Sequence, residues 1–161
     1  MSATAAWSPP PFQRFLDDHR DDVWRFLVAS VGRSDAEDCF QETFMAALRA
    51  YPRLRSDSNL RAWILTIAHR KALDAHRGRG RRAIPVPDPP EHPAGEAPTE
   101  RDDELWSAVH ALAPRQRAAV LLRFRGDLSH REVAAAVGCS EEAARRSFHD
   151  GLQRLREVYA A

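Results

Sequence analysis

Near the C-terminus, the stretch "SEEAARRSFHD" sets Glu142, Arg145, Arg146 and His149 at three- and four-residue steps. On a helix such residues share one face. Arginine carries a planar fork of donors that fits guanine O6 and N7 or a phosphate, and glutamate accepts from cytosine N4. This is the chemistry of a base-reading surface. Ala144, Phe148 and Leu152 fall on the opposite face, where a core would lie. Ser140 stands where a helix N-cap is needed. Two acids, Glu141 and Glu142, open the helix where phosphates would come near. Glu141 suits the positive end of the helix dipole, and a cytosine contact stays open for Glu142.

Two further sets carry chemistry. Between positions 61 and 82 stand Arg61, Arg70, Lys71, Arg77, Arg79, Arg81 and Arg82 against a single acid, Asp74. A run of this kind holds backbone phosphates, which gives affinity without sequence choice. In "SDAEDCFQETF", Asp35, Glu37, Asp38, Gln41 and Glu42 line the polar face of another helix. Such a row either is solvated or meets a basic partner.

Catalysis and metal binding find no support. The histidines and the two cysteines, Cys39 and Cys139, show neither C-x-x-C nor H-E-x-x-H spacing, and no glycine-rich phosphate loop or nucleophile elbow is present. No metal or cofactor is expected. The cysteines read as ordinary thiols of a reducing compartment. No apolar run reaches the roughly 20 residues a membrane span requires. The N-terminus lacks the basic start and apolar core of a secretory signal, so no membrane insertion and a cytoplasmic location are expected.

Helices must position these residues. Net charge is only +1, but the charges are segregated, as expected for two basic surfaces joined by an acidic tether. The tether, "AIPVPDPPEHPAGEAPTERDDE", is rich in proline and acids and too poor in apolar residues to offset its ordering entropy. The reading is an all-α chain: a disordered N-terminus over 1–11, a helical domain over 12–82, a flexible linker over 83–101 and a second helical domain over 102–161.

In the first domain, Phe15, Leu16, Val23, Phe26, Leu27 and Val31 fit helical spacing around a polar break. Gly32 ends that helix and Ser34 is expected to cap the next. That second helix would bury Ala36, Cys39, Phe40, Thr43, Phe44, Ala47, Leu48 and Tyr51, and Pro52 closes it. Leu60, Trp63, Ile64, Ile67, Ala68 and Leu73 form a third stripe, which places Trp63 in the core. Gly78 and Gly80 imply a frayed end. In the second domain Leu105, Val109 and Leu112 mark one helix. Pro114 suits the first turn of the next, which Gly126 ends. Ser129 and Glu132 make a capping box, and Gly138 permits the turn before Ser140. The last two helices have helix-turn-helix geometry.

Taken together, "DAEDCFQETFMAALRAY", "LRAWILTIAHRKALDAHRGRGRR" and "ALAPRQRAAVLLRFRGDLSHREVAAAVGCSEEAARRSFHDGLQRLR" resemble the extracytoplasmic-function (group four) sigma factors of bacterial RNA polymerase. The resemblance covers nearly the whole chain outside the linker and termini. It implies that Asp35, Asp38, Gln41 and Glu42 dock on the polymerase core. It further implies that Arg61, His69, Arg70, Lys71 and Arg77 contact the minus-ten element of promoter DNA. Ser140, Glu142, Arg145, Arg146 and His149 would serve the minus-thirty-five element. An anti-sigma factor is a partner of many such proteins. Two departures stand out: Arg70 replaces a common asparagine in "IAHR", and "SEEAARRS" replaces the commoner "S-x-G-T-V-K-S-R", where the basic residue at Arg145 matches but Glu142, Ala143, Arg146 and Ser147 do not. The competing readings are a stand-alone helix-turn-helix regulator and a polymerase-binding protein with degenerate promoter reading.

Overall fold

The computed structural model describes residues 7–55, 59–81 and 100–160. The tether over 82–99 and the first six residues lie outside the described residues. The fold is all-α. Helix α1 spans Phe12–Val31, α2 Arg33–Ala50 and α3 Leu60–Arg81, with one 3-10 turn at Tyr51–Arg53. The second half holds α4 (Glu100–Ala111), α5 (Pro114–Phe124), α6 (His130–Val137) and α7 (Glu141–Ala160).

Phe15, Val23, Phe26 and Leu27 of α1 are fully buried, and α1, α2 and α3 pack on one another around them. Removing side chains of this size from water is the main stabilising term. Asp17, Asp18 and Asp21 lie exposed on the outer face, so the polar stretch does not interrupt α1. Phe12, Phe15, Tyr51 and Trp63 form an aromatic cluster with ring centroids 5.2–6.3 Å apart. The Tyr51 hydroxyl donates to the Pro10 carbonyl, which ties the chain before α1 to this cluster. Trp63 is half-buried there, in the core role its spacing predicts.

Two expectations fail in α2. Ser34 does not cap it. Gly32 alone joins α1 to α2, with φ +81° and ψ 163°. That backbone conformation is open to glycine, so the chain reverses within one residue and α2 begins before Ser34. Leu48 is not buried but 55% exposed, because α2 has only α1 and α3 to pack against and its wider stripe overhangs them. The glycines near the end of α3 do not stop it, and the helix continues to Arg81.

In the second half, α5 and α6 pack on α7, and α4 packs on α7 as well. Pro114 occupies the first turn of α5. The Ser129–Glu132 capping box forms in full: the Glu132 amide donates to Ser129 Oγ at 3.2 Å, and the Ser129 amide donates to Glu132 Oε2 at 2.8 Å. Ser129→Ala should therefore cost about 1 kcal/mol in urea unfolding, since it strips the acceptor from a helix-end amide. The two halves also touch, α3 against α6 and α1 against α5.

Candidate nucleic-acid interface

Helix α7 is set by its two ends and its inner face. Gly138, in the left-handed conformation, closes α6. Ser140 Oγ then accepts from the Ala143 amide at 3.1 Å and starts α7. Ala144, Phe148 and Leu155 are buried. Glu142, Arg145, Arg146 and His149 are exposed together on the outer face, as their spacing predicts, with Ser140 exposed at its start.

The two acids at the start of α7 have partners. Arg145 Nη2 lies 3.3 Å from Glu141 Oε1, and Arg146 Nη2 lies 3.5 Å from Glu142 Oε1. Pairs this exposed contribute only a few tenths of a kcal/mol to stability. Their consequence is electrostatic: each arginine is met by an acid one turn earlier, so this outer face is close to neutral. Behind it, the His130 ring meets Phe148 edge-on at 5.3 Å and lies 6.2 Å from His149. Burial, then Arg123, Arg145 and His149, hold the His130 ring below the usual histidine range against the opposing pull of Glu141. Arg123 stacks over Phe148 at 5.3 Å and donates to the Leu128 carbonyl at 2.8 Å. It fixes the turn between α5 and α6, a role that no local spacing announces.

The five basic candidates from α3 do not form one surface. Arg70 and Arg77, seven residues apart, are exposed on one face. Arg61 lies 3.6 Å from Asp22 of α1. Lys71 turns toward α2. His69 is 5% exposed, inside the protein. Burial first, then the charges of Arg70 and His76, lower its pKa from 6.5 to about 4.

Folded His69 stays neutral where the unfolded chain takes up a proton. Its contribution is thus fully present above pH 6.5 and falls as pH drops toward 4. By about pH 5 the loss should reach about 2 kcal/mol. Urea midpoints at neutral and acid pH should show this loss in the wild type and a smaller one in His69→Leu.

On α2, Asp38, Gln41 and Glu42 are exposed and Asp35 is half-buried. Met45 and Leu48, each 55% exposed, continue the same face one and two turns on. Sequence reasoning missed this apolar extension, although Met45 falls at the right step from Asp38 and Glu42. A cavity of about 300 Å³ opens between α2 and α3, lined by Asp35, Asp38, Cys39, Glu42, Lys71, Asp74, Ala75 and Gly78. Four acids and one lysine give it a negative field suited to a guanidinium or ammonium group. The Cys39 thiol donates to the Lys71 carbonyl at 3.8 Å and holds the floor. Both cysteines are free thiols. Among the described residues no group of His, Cys, Asp and Glu could hold a metal ion, and no helix is long and apolar enough to cross a membrane.

Comparison with known proteins agrees with this arrangement. Residues 15–82 match Sigma-70 region 2, and residues 102–155 match Sigma-70, region 4. The chain is 35% identical over 163 residues to the ECF RNA polymerase sigma factor SigD of Mycobacterium tuberculosis, covering 91% of this chain and 76% of that one. It is 33% identical over 153 residues to the RNA polymerase sigma factor CarQ of Myxococcus xanthus, covering 91% and 88%. Its fold matches the sigma factor RpoE of Bartonella quintana, solved in complex with the anti-sigma factor NepR. There the TM-score is 0.82 at 25% identity, over 93% of this chain and 97% of the other. With both sigma regions in order and relatives this similar along most of their length, the chain belongs to the ECF family of RNA polymerase sigma factors.

Proposed function

We infer that this sigma factor, which directs RNA polymerase to promoters, divides that work between its two halves. The half over 12–82 docks on the polymerase core through Asp35, Asp38, Gln41 and Glu42. It meets the minus-ten element through Arg70 and Arg77, the pair presented to solvent on α3, and not through the other three residues of the expected set: Arg61 is held by Asp22, His69 is buried and Lys71 lines the cavity against α2. The half over 102–161 reads the minus-thirty-five element through Ser140, Glu142, Arg145, Arg146 and His149. The observation that carries this reading is the outer face of α7, polar and exposed over a buried apolar face, within a capped helix-turn-helix. A cytoplasmic site of action, a stress or envelope regulon and capture by an anti-sigma factor accompany the proposal. The last is supported by the likeness to a sigma factor bound by one.

Transcription in vitro from a library of genomic promoters tests it. Core polymerase plus this chain should start transcripts at a limited set of sites, and neither component alone should. Specific promoter binding by the chain without polymerase would instead mark a stand-alone regulator.

Arg145 gives the finer test. If it pairs with a guanine, Arg145→Ala should lose about 1–3 kcal/mol of binding and relax selection at one base position. Sequencing of promoters selected from a randomised pool reads this directly. An unchanged consensus would remove Arg145 from the reading set.

A further inference from the structure

The first ion pair of α7 has a third party. Arg145 lies 3.3 Å from Glu141, and the charges of both act on His130, the first residue of α6. The His130 ring is half-buried, edge-on to Phe148 at 5.3 Å and 6.2 Å from the His149 ring. Its Nδ1 is shut off from solvent and meets no hydrogen-bonding partner among the described residues. A proton on such a ring costs the desolvation of a charge. The free chain therefore keeps His130 neutral at neutral pH.

Charged groups surround the ring on α5, α6 and α7. Arg123 of α5, with Arg145 and His149 of α7, opposes a proton on it, and Glu141 of α7 favours one. On α6 itself Arg131 is exposed. Glu132 is already engaged. Its Oε2 takes the Ser129 amide at 2.8 Å, and its Oε1 accepts at 2.7 Å from Nδ2 of Asn59, the neutral group that meets α6 from the α3 side.

The balance turns on where Arg145 lies. While it pairs with Glu141, it offsets the pull of that acid on His130. An arginine that moves out to a phosphate or a base carries its own charge away from the ring. It also leaves Glu141 without its counter-charge. Both changes favour the charged form of His130, and phosphates close to the outer face of α7 add to them.

We propose that His130 replaces Arg145 as the partner of Glu141: when Arg145 leaves for promoter DNA, His130 takes up a proton, and engagement of the minus-thirty-five element is thereby proton-coupled. The coupling rests on the assignment of Arg145 to DNA made above. His130 touches no base in this scheme. It is a positioning residue that keeps Glu141 from drawing Arg145 back. Where His130 stays neutral, a salt cation fills the same place. Bound to DNA, the ring has a higher pKa than in the free chain. The gain in promoter affinity is thus fully present below the free-state pKa and is lost as pH rises through the bound-state pKa.

The exchange is testable without DNA. The His130 Cε1–H resonance of the full chain, identified by its loss in His130→Phe, is titrated by NMR. Its midpoint should move to higher pH in Arg145→Ala and to lower pH in Glu141→Gln. A midpoint that stays in place in either variant would overturn the exchange.

Holoenzyme carries the second test, with a labelled promoter duplex recovered from the genomic library and ionic strength held constant. The ratio of affinities at about pH 6 and about pH 8 should fall roughly fivefold in His130→Phe, within the tenfold that one pKa unit supplies. Phenylalanine keeps a ring on Phe148 but takes no proton. Glu141→Gln should lower the ratio equally, and His149→Asn should keep the wild-type ratio. An unchanged ratio in His130→Phe, or a fall confined to His149→Asn, would overturn the coupling and leave the promoter assignment standing. Absence of specific binding by every holoenzyme at both pH values would overturn the promoter assignment, and the coupling with it, even with the NMR midpoints shifted.

Discussion

Reversing both charges in Asp38→Lys with Glu42→Lys should lower affinity for core polymerase by about 100-fold, with helical content intact. Both side chains are exposed on α2. The buried residues of that helix are Ala36, Cys39, Thr43, Phe44 and Ala47, and none is touched. Neither position lies in the first turn of α2, whose acid is Asp35, so the direct cost through the helix dipole is small. The expected loss therefore lies in the partner contact, where each lysine replaces attraction with repulsion and reverses the field of the adjacent cavity. Fluorescence anisotropy of labelled sigma factor titrated with core measures it. Wild-type affinity in the double variant would remove α2 from the docking surface.

The second large effect separates residues that adjoin in sequence. Arg70→Ala with Arg77→Ala should reduce open-complex formation about 50-fold, as expected for two lost phosphate contacts. Permanganate reactivity of promoter thymines reads this, and core binding should stay unchanged. Lys71→Ala should behave differently. Lys71 lines the acidic cavity with Asp35, Asp38 and Glu42. Removing its charge should leave melting alone and raise core affinity about threefold. Equal melting defects in the two variants would show that the α3 residues act as one surface.

Lys71 illustrates where sequence reading stops. Local chemistry was legible: the Ser129–Glu132 box, Ser140 at the start of α7, Pro114 in the first turn of α5 and the shared face of 142, 145, 146 and 149 all depend on neighbours within a turn or two. Burial of the main stripes was legible too, since Phe15, Val23 and Ile64 recur at helical spacing. What could not be read depends on which helix lies alongside. Leu48 has stripe spacing but no helix above it. His69 is flanked by charges but faces inward. Lys71 belongs to a basic run, yet the angle of α3 turns it toward α2. Asn59 and Glu132 meet only because the two halves close, and no periodicity encodes that. Ser34 failed for a smaller reason: a single glycine at positive φ made the turn before it.

The ion pairs at the start of α7 bear on how DNA contacts are counted in solution. An arginine that reaches a phosphate normally displaces one condensed cation, and the slope of log affinity against log salt reports how many do so. Arg145 and Arg146 must first leave Glu141 and Glu142. Each freed carboxylate, now beside the DNA, retains a cation that would otherwise have been released. If α7 meets promoter DNA as proposed, a salt titration of the holoenzyme should therefore report fewer contacts than those arginines make, and replacing Glu141 and Glu142 with glutamine should steepen the slope without adding a single new contact.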